Sequence, residues 1–373
     1  AIDGIRGSRS MLDAARANLL EVVERIQRET KAAANVAYPV AAPLPVIRAA
    51  LGEGEALVSY ALLSREAFAL VVTRDGARIV ALGPTKELER IAATLAAIGP
   101  EGPAEDAIEA ARTALLRPLG VDRARRLLVS PDGALAYVPF ALLAPAQEIA
   151  HVPSGTTYTV LLEEASRRGE AVLALGDPET GAAVALLHGQ RLASLPGSRE
   201  EAKGVGDVVL LGADATEPGF RSAVAKRPRW RAVHFACHGL VDPERPLLAS
   251  LALTPGGGED GFLTAAEVLR SRIPADLVVL SACETAKGKV YKAEGVVGFT
   301  RAFMAAGAPR VLVSLWNVDD DATRVLMAKF YEGWKGELGG AAALKAAQEH
   351  VRAQEKWRHP YYWAAWQLWG VPE

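Results

Sequence analysis

Cysteine is nearly absent from this chain: its 373 residues contain two, Cys237 and Cys283. Neither a disulfide framework nor a Cys-x-x-Cys metal knuckle is available, and each thiol sits in or at the end of an apolar, strand-like run, which fits a reducing compartment. Charge of one sign is missing as well. Lys plus Arg number 42 against 44 Asp plus Glu, a net charge of -2. No overall field gathers phosphate backbones or anionic lipid, so nucleic acid is not an expected partner. No apolar run reaches the ~18–20 residues of a spanning helix, and no charged segment followed by an apolar one opens the chain. No membrane association is expected, and the cytoplasm is the expected location. Gly256-Gly257-Gly258 lacks the Lys-Ser/Thr that completes a phosphate loop, and no Gly-x-Ser-x-Gly elbow of a serine hydrolase occurs. No cofactor and no resident metal are expected.

What is present is a globular composition, 50% hydrophobic and 23% charged. Single cores stop growing near ~250–300 residues, so two lobes are expected. Residues 10–30 space Leu12, Ala15, Leu19, Val22, Val23 and Ile26 as one apolar helix face. The chain begins at Ala1 without an initiator Met, so it is expected to be either processed or the tail of a longer polypeptide, and in the latter case this orphan helix reads as the last helix of something upstream. Pro39, Pro43 and Pro45 mark a connector. Ala56–Leu63, Ala67–Thr73 and Ala77–Ala81 read as an antiparallel meander with an Asp75-Gly76 turn. Helices are expected around Leu88–Ile98 and Ile108–Leu115, then short strands at Leu127–Val129 and Leu135–Phe140 around Pro131-Asp132-Gly133.

From about residue 170 the pattern becomes strands alternating with helices, the mark of a parallel sheet covered on both faces. The strand candidates are Ala171–Leu175, Val208–Leu211, Ala232–Ala236, Leu277–Leu280 and Val311–Leu315. Ser198 with Glu201 and Thr264 with Glu267 read as capping boxes at helix starts. All seven Trp lie at or beyond Trp230, which puts the larger aromatic core in this half.

Sites in parallel sheets form beyond the carboxyl ends of the strands. Three ends carry chemistry: Cys237-His238-Gly239, Ser281-Ala282-Cys283-Glu284-Thr285, and Trp316-Asn317-Val318-Asp319-Asp320-Asp321. If the first two strands are neighbours, His238 and Cys283 stand at one edge, ~4.8 Å apart in strand spacing. An imidazole beside a thiol takes its proton and later returns it to a leaving amine. The N–H groups of Gly239 and Cys283 could then form the oxyanion hole. Each residue alone is more often structural, since free cysteine is commonly buried and a core histidine is commonly just hydrogen-bonded; the joint placement is what favours chemistry. Alternation sends Cys237 to the opposite face from His238, so Cys237 is assigned to the core, and His234 is assigned as a satisfied core or supporting histidine. His151, His188, His350 and His359 fall in expected loops or helices and receive no role. The run Asp319-Asp320-Asp321 fits a solvated helix start. It also suits a pocket for a Lys or Arg side chain, or, less well, a divalent metal.

The ordered series Val233-His234-Phe235-Ala236-Cys237-His238-Gly239, Gly261-Phe262-Leu263-Thr264-Ala265-Ala266-Glu267, Val278-Val279-Leu280-Ser281-Ala282-Cys283-Glu284-Thr285, Glu294-Gly295-Val296, Ser314-Leu315-Trp316-Asn317-Val318-Asp319-Asp320 and His359-Pro360-Tyr361-Tyr362-Trp363-Ala364-Ala365 resembles the CHAT family of caspase-like cysteine peptidases, relatives of separase. The resemblance runs from about Leu127 to the end. It implies an α/β caspase-like parallel-sheet sandwich with helices on both faces, His238 as base and Cys283 as nucleophile. It implies a pseudo-caspase-like α/β lobe over residues 36–150, a peptidase domain over 151–373, and a helix over 1–35 that ends an upstream tetratricopeptide array. Related peptidases bind a basic residue with an acidic loop, which corresponds to Asp319 and Asp320 here; Asn317 stands where separases tend to have Asp. The implied partners are a protein substrate and a regulatory protein or tetratricopeptide region, and the alternative is a silent scaffold of a signalling complex.

Overall fold

The computed structural model describes residues 40–373 apart from 101, 103–104, 181–191, 193–194, 241–245, 282–293 and 337. The expected helix at 10–30, His188 and Cys283 therefore lie outside the described residues. After α1 (Leu44–Ala50) the expected meander is present as β1 (Glu55–Leu62), β2 (Glu66–Val72) and β3 (Ala77–Pro84), all antiparallel, with the Asp75-Gly76 turn closed by Thr73 N–H to the Gly76 carbonyl at 2.9 Å. The helices α2 (Thr85–Ala96) and α3 (Glu105–Leu115) follow, then β4 (Arg126–Ser130), α4 (Phe140–Leu143), β5 (Glu148–His151) and α5 (Gly155–Ala165).

The apolar run Leu135–Phe140 is not a strand. It forms a 3₁₀ turn over Gly133–Tyr137 that leads into α4. Both edges of β4 are already taken, by β1 and by β5 in parallel, so a hairpin partner has no place in the ladder, and the run buries Leu135, Tyr137 and Phe140 as core instead.

The second half alternates as its sequence indicates: β6 (Glu170–Gly176), α6 (Pro196–Val205), β7 (Val208–Leu211), α7 (Glu217–Val224), β8 (Trp230–Ala236), β9 (His238–Leu240), β10 (Ser250–Ala252), β11 (Phe262–Thr264), α8 (Ala265–Arg270), β12 (Val278–Leu280), α9 (Glu294–Ala305), β13 (Arg310–Ser314), α10 (Asp320–Lys335), α11 (Gly340–Arg352) and β14 (Trp366–Gly370). Eleven strands make one sheet in the order β3-β2-β1-β4-β5-β14-β13-β12-β8-β6-β7, and β11-β10-β9 make a small second one. The strands β13, β12, β8, β6 and β7 are mutually parallel. So are β1, β4, β5 and β14, and the two blocks meet in the antiparallel pair β13–β14. At that seam Gly370 has φ +100°, and a Cβ there would stand 2.0 Å from the Pro309 carbonyl, so only glycine fits.

Alternation along the parallel strands sorts the core into two layers. Val172, Ala174, Ala232, Val279 and Leu312 pack with residues of α6, α10 and α11, whereas Leu173, Leu175, Val233, Phe235, Val278 and Val311 pack with residues of α7, α8 and α9. This is the covering of both faces that continuous apolar strands require. The Thr264–Glu267 capping box starts α8 as expected. Ser198 and Glu201 do not form one: α6 begins earlier, with Pro196 in its first turn, so Ser198 falls inside the helix and bonds the Leu195 carbonyl and the Asp177 N–H. Among the described residues no helix is long and apolar enough to cross a membrane.

His151 is not in a loop but ends β5, opposite Trp369 of β14, with its ring stacked on that indole at 5.2 Å and edge-on to Phe140. Burial pushes its imidazole down to about 3. The unfolded chain takes up this proton near pH 6.5 and the folded chain does not until about pH 3, so stability falls as pH drops through that window. Between pH 7.5 and pH 5 the wild type should lose about 2 kcal/mol more than His151→Phe. Urea unfolding at both pH values measures this, and equal losses in the two proteins would remove His151 as the cause.

Candidate active site

Three strand ends carry the residues singled out from the sequence, and they are consecutive in the sheet: β8, β12 and β13 lie side by side and parallel, with Phe235, Leu280 and Val313 at one level. The last pair, Leu280 with Phe235, stands three positions before Cys283 on one chain segment and three before His238 on the other. Cys283 itself lies outside the described residues.

His238 follows β8 directly and opens β9, where it stands opposite Ala252 of β10, half-buried, with Gly239 buried opposite Leu251. The chain thus leaves the main sheet at Cys237 and enters the small one at His238, and this change of sheet puts the imidazole at the rim rather than within a core layer. Cys237 packs in the layer with Phe220, Phe235 and Leu251, and burial pushes its thiol up, with Glu201 adding to the effect. It has the environment of a structural cysteine.

Four residues before His238, His234 is fully buried and bonded on both ring nitrogens. Nδ1 lies 3.2 Å from the Tyr331 hydroxyl and Nε2 lies 3.1 Å from Glu201 Oε1. Burial, then Glu201 and Asp207, hold the Tyr331 hydroxyl well above its ordinary range. The sequence assigns His234 a supporting place; it does not identify Glu201 of α6 and Tyr331 of α10 as the partners. Their separation along the chain hides them. The network fastens β8 to α6 and α10, two of the helices covering that face, which fixes the segment leading to His238.

Asp319 caps α10, its Oδ1 accepting the Ala322 N–H at 3.0 Å. The helix start expected for the acidic run is therefore present. Asp320 lies against the first turn of α6, where a Cβ on Gly197 would come within 2.7 Å of its Oδ2. Burial, then Glu201, Asp319 and Asp321, raise its carboxyl. The loop before these residues is anchored to the last motif of the sequence: Trp316 Nε1 donates to the Tyr361 carbonyl at 3.0 Å, and Leu315 N–H to the Ala365 carbonyl at 2.9 Å. His359 is half-buried and accepts the Tyr361 N–H at its Nδ1, 3.2 Å away, so it shapes this turn.

Set beside known proteins, residues 105–371 match the profile of the CHAT domain. Tetratricopeptide repeat protein 28 of Homo sapiens is 29% identical over 309 residues, a match covering 67% of this chain and 12% of that protein. The protein of the same name from Mus musculus is 28% identical over 311 residues, with the same coverage of 67% and 12%. The chain thus spans 12% of the length of these curated relatives. Among solved structures, the Saccharomyces cerevisiae separase–securin complex aligns with TM-score 0.43 and 16% identity, over 73% of this chain and 18% of that one. The Arg-specific cysteine proteinase gingipain R aligns with TM-score 0.41 and 10% identity, over 77% and 73%.

Proposed function

Because this chain belongs to the CHAT domain family, we propose that it is a cysteine endopeptidase with Cys283 as nucleophile and His238 as general base. The observation that carries the reading is the parallel pairing of β8 with β12, whose last paired residues stand at equal distances along the chain from His238 and Cys283. His238 takes the Cys283 thiol proton, and the thiolate attacks the scissile carbonyl carbon. The resulting oxyanion is held by the N–H groups of Gly239 and Cys283. Collapse breaks the C–N bond, the amine leaves with the proton from His238, and the acyl group stays on sulfur as a thioester. Water, deprotonated by His238, then releases the acid and restores the thiol.

The substrate side chain before the scissile bond is Lys or Arg in this proposal. Asp319 and Asp320 follow β13, next to β12, and the Asp320 carboxyl, raised by burial and then by Glu201, Asp319 and Asp321, is a partner for an incoming cation. The reversal of strand direction between β14 and β13 supports reading residues 36–150 as a lobe that resembles a second copy of the protease sheet, ahead of the peptidase domain over 151–373 and after a helix over 1–35. The repeat protein named among the relatives supports an upstream tetratricopeptide region as a partner; that this region or another regulatory protein switches the enzyme on, in the cytoplasm, is part of the proposal.

The test is a peptide library varied at the residue before the scissile bond, offered to the wild type and to Cys283→Ala. Cysteine-dependent cleavage after Lys or Arg is the expected result. Asp320→Asn should lower kcat/KM on such peptides about 10–100-fold, while Asp319→Asn, which keeps the cap, should show how much of the pocket is charge alone. Cleavage after acidic residues would discard the pocket and keep the dyad. Silence from the wild type together with equal alkylation of Cys237 and Cys283 at neutral pH would leave a scaffold instead of an enzyme.

A further inference from the structure

Three carboxylates from three separate elements converge. Glu217 opens α7, Glu259 lies in the β10–β11 connection, and Glu267 stands in the first turn of α8; one oxygen from each lies within 4.8 Å of the others. Each carboxylate is held in place by one of its oxygens. Arg221 bonds Glu217 Oε2 at 3.4 Å and also reaches Glu259 Oε1. Glu267 Oε2 accepts the Thr264 N–H at 2.8 Å and its hydroxyl at 2.6 Å. Those bonds leave the second oxygen of each carboxylate for another partner.

Glu217 supplies the independent observation. Its side chain is 1% exposed, its carboxylate is directed into the cluster, and Oε1 is buried with no hydrogen-bond partner. A buried carboxylate oxygen without a donor costs on the order of 1–3 kcal/mol or more, so the position implies a ligand that supplies positive charge. Arg221 is set against these three carboxylates and the nearby Asp260, so negative charge is in excess and a divalent cation offsets it. Only oxygen is offered, which selects a hard cation. Ca²⁺ takes about six to eight oxygens in a flexible geometry, which carboxylates drawn from separate elements can satisfy, whereas Mg²⁺ demands a near-ideal octahedron. Glu259 is partly exposed and gives the ion a way in.

We propose that Glu217, Glu259 and Glu267 form a Ca²⁺ site that ties the β10–β11 connection to α7 and α8. The turn Gly256–Glu259 is closed by two reciprocal backbone hydrogen bonds, so fixing the Glu259 carboxylate fixes the turn. That turn joins two strands of the small sheet whose third strand, β9, carries His238 and Gly239. The ion therefore stabilises the sheet that presents the imidazole, whether or not the chain is a peptidase.

The full chain, stripped with a chelator, is titrated with CaCl₂ by calorimetry and by thermal unfolding, with NaCl of matched ionic strength as the control. One Ca²⁺ per chain is expected, with Tm raised by about 3 °C or more at a hundredfold excess over Kd. Glu217→Gln keeps the shape, removes a charge and should fold as well as the parent while losing the Ca²⁺ response. Glu259→Gln, at a partly exposed position that tolerates change, should weaken binding at least tenfold. A Tm that CaCl₂ moves no more than NaCl does, or a response preserved in Glu217→Gln, overturns the site.

Discussion

His238→Ala and Cys283→Ala should each lower kcat/KM for a cleaved Lys or Arg peptide by at least about 10³-fold, and the double variant should fall no further than the worse single one. In the proposed mechanism the two side chains act on one proton and one bond: without the imidazole the thiol stays protonated, and without the thiol the imidazole has nothing to activate. A thousandfold loss corresponds to about 4 kcal/mol of transition-state stabilisation. Cys237 offers no rescue, because its side chain is 2% exposed within an apolar layer and burial pushes its thiol up, away from the thiolate form. Both variants should unfold within error of the wild type in urea, since β8 is held by the His234–Glu201–Tyr331 network and by pairing with β6 and β12, none of which uses the His238 ring. Turnover retained by Cys283→Ala would end the assignment. Strictly additive losses in the double variant would mean that the two residues serve separate steps.

Strand periodicity made the parallel block legible. Short, almost wholly apolar runs such as Val208–Leu211 and Ala232–Ala236 have no polar face to show, so their composition alone implies a two-sided cover, and the polar residues just beyond each run mark the edge to search for a site. Strand order is different. The adjacency of β8 and β12 depends on which crossover each helix takes, and nothing local to residues 230–280 encodes it. The strands β5 and β14 were hidden for a related reason: Glu148–His151 is too short to show a period, and Trp366–Gly370 pairs across more than two hundred residues. Polar pairs at long separation are illegible in principle. Glu201 looks like half of a capping box because Ser198 precedes it by three, yet the helix starts at Pro196 and the carboxylate goes to His234 on another strand. Glu217, Glu259 and Glu267 share no motif spacing at all. The acidic run was legible as a helix start, which Asp319 caps.

Asp276→Asn should cost about 3–5 kcal/mol of stability, the largest loss expected from one isosteric change in this chain. Asp276 precedes β12 and is 1% exposed, at the end of the strand opposite the candidate site. Its Oδ1 takes Arg229 Nε at 2.5 Å, and its Oδ2 takes an Arg231 guanidinium nitrogen at 3.1 Å and the Gly169 N–H at 2.8 Å. Arg310, 5% exposed, donates to the Asp276 backbone carbonyl at 3.3 Å; burial pushes its guanidinium down to about 10, and Asp276 is the largest influence opposing that shift. Arg231 is further held over the Trp334 ring at 4.1 Å, so it cannot swing out to water without losing that contact. One carboxylate thus offsets one of the three positive charges of the buried Arg310 and the partly buried Arg229 and Arg231. An amide preserves the outline but donates where it should accept, and it leaves three cations facing one another in a medium that screens them poorly. Urea unfolding at neutral pH and moderate salt measures the loss. A change below 1 kcal/mol would show that water reaches these arginines in the folded state. Turnover per folded molecule should stay within about twofold, because the cluster lies at the amino ends of the strands and the proposed catalytic residues follow their carboxyl ends in sequence. A large loss of activity without a loss of stability would instead place Asp276 in communication with the far edge of the sheet.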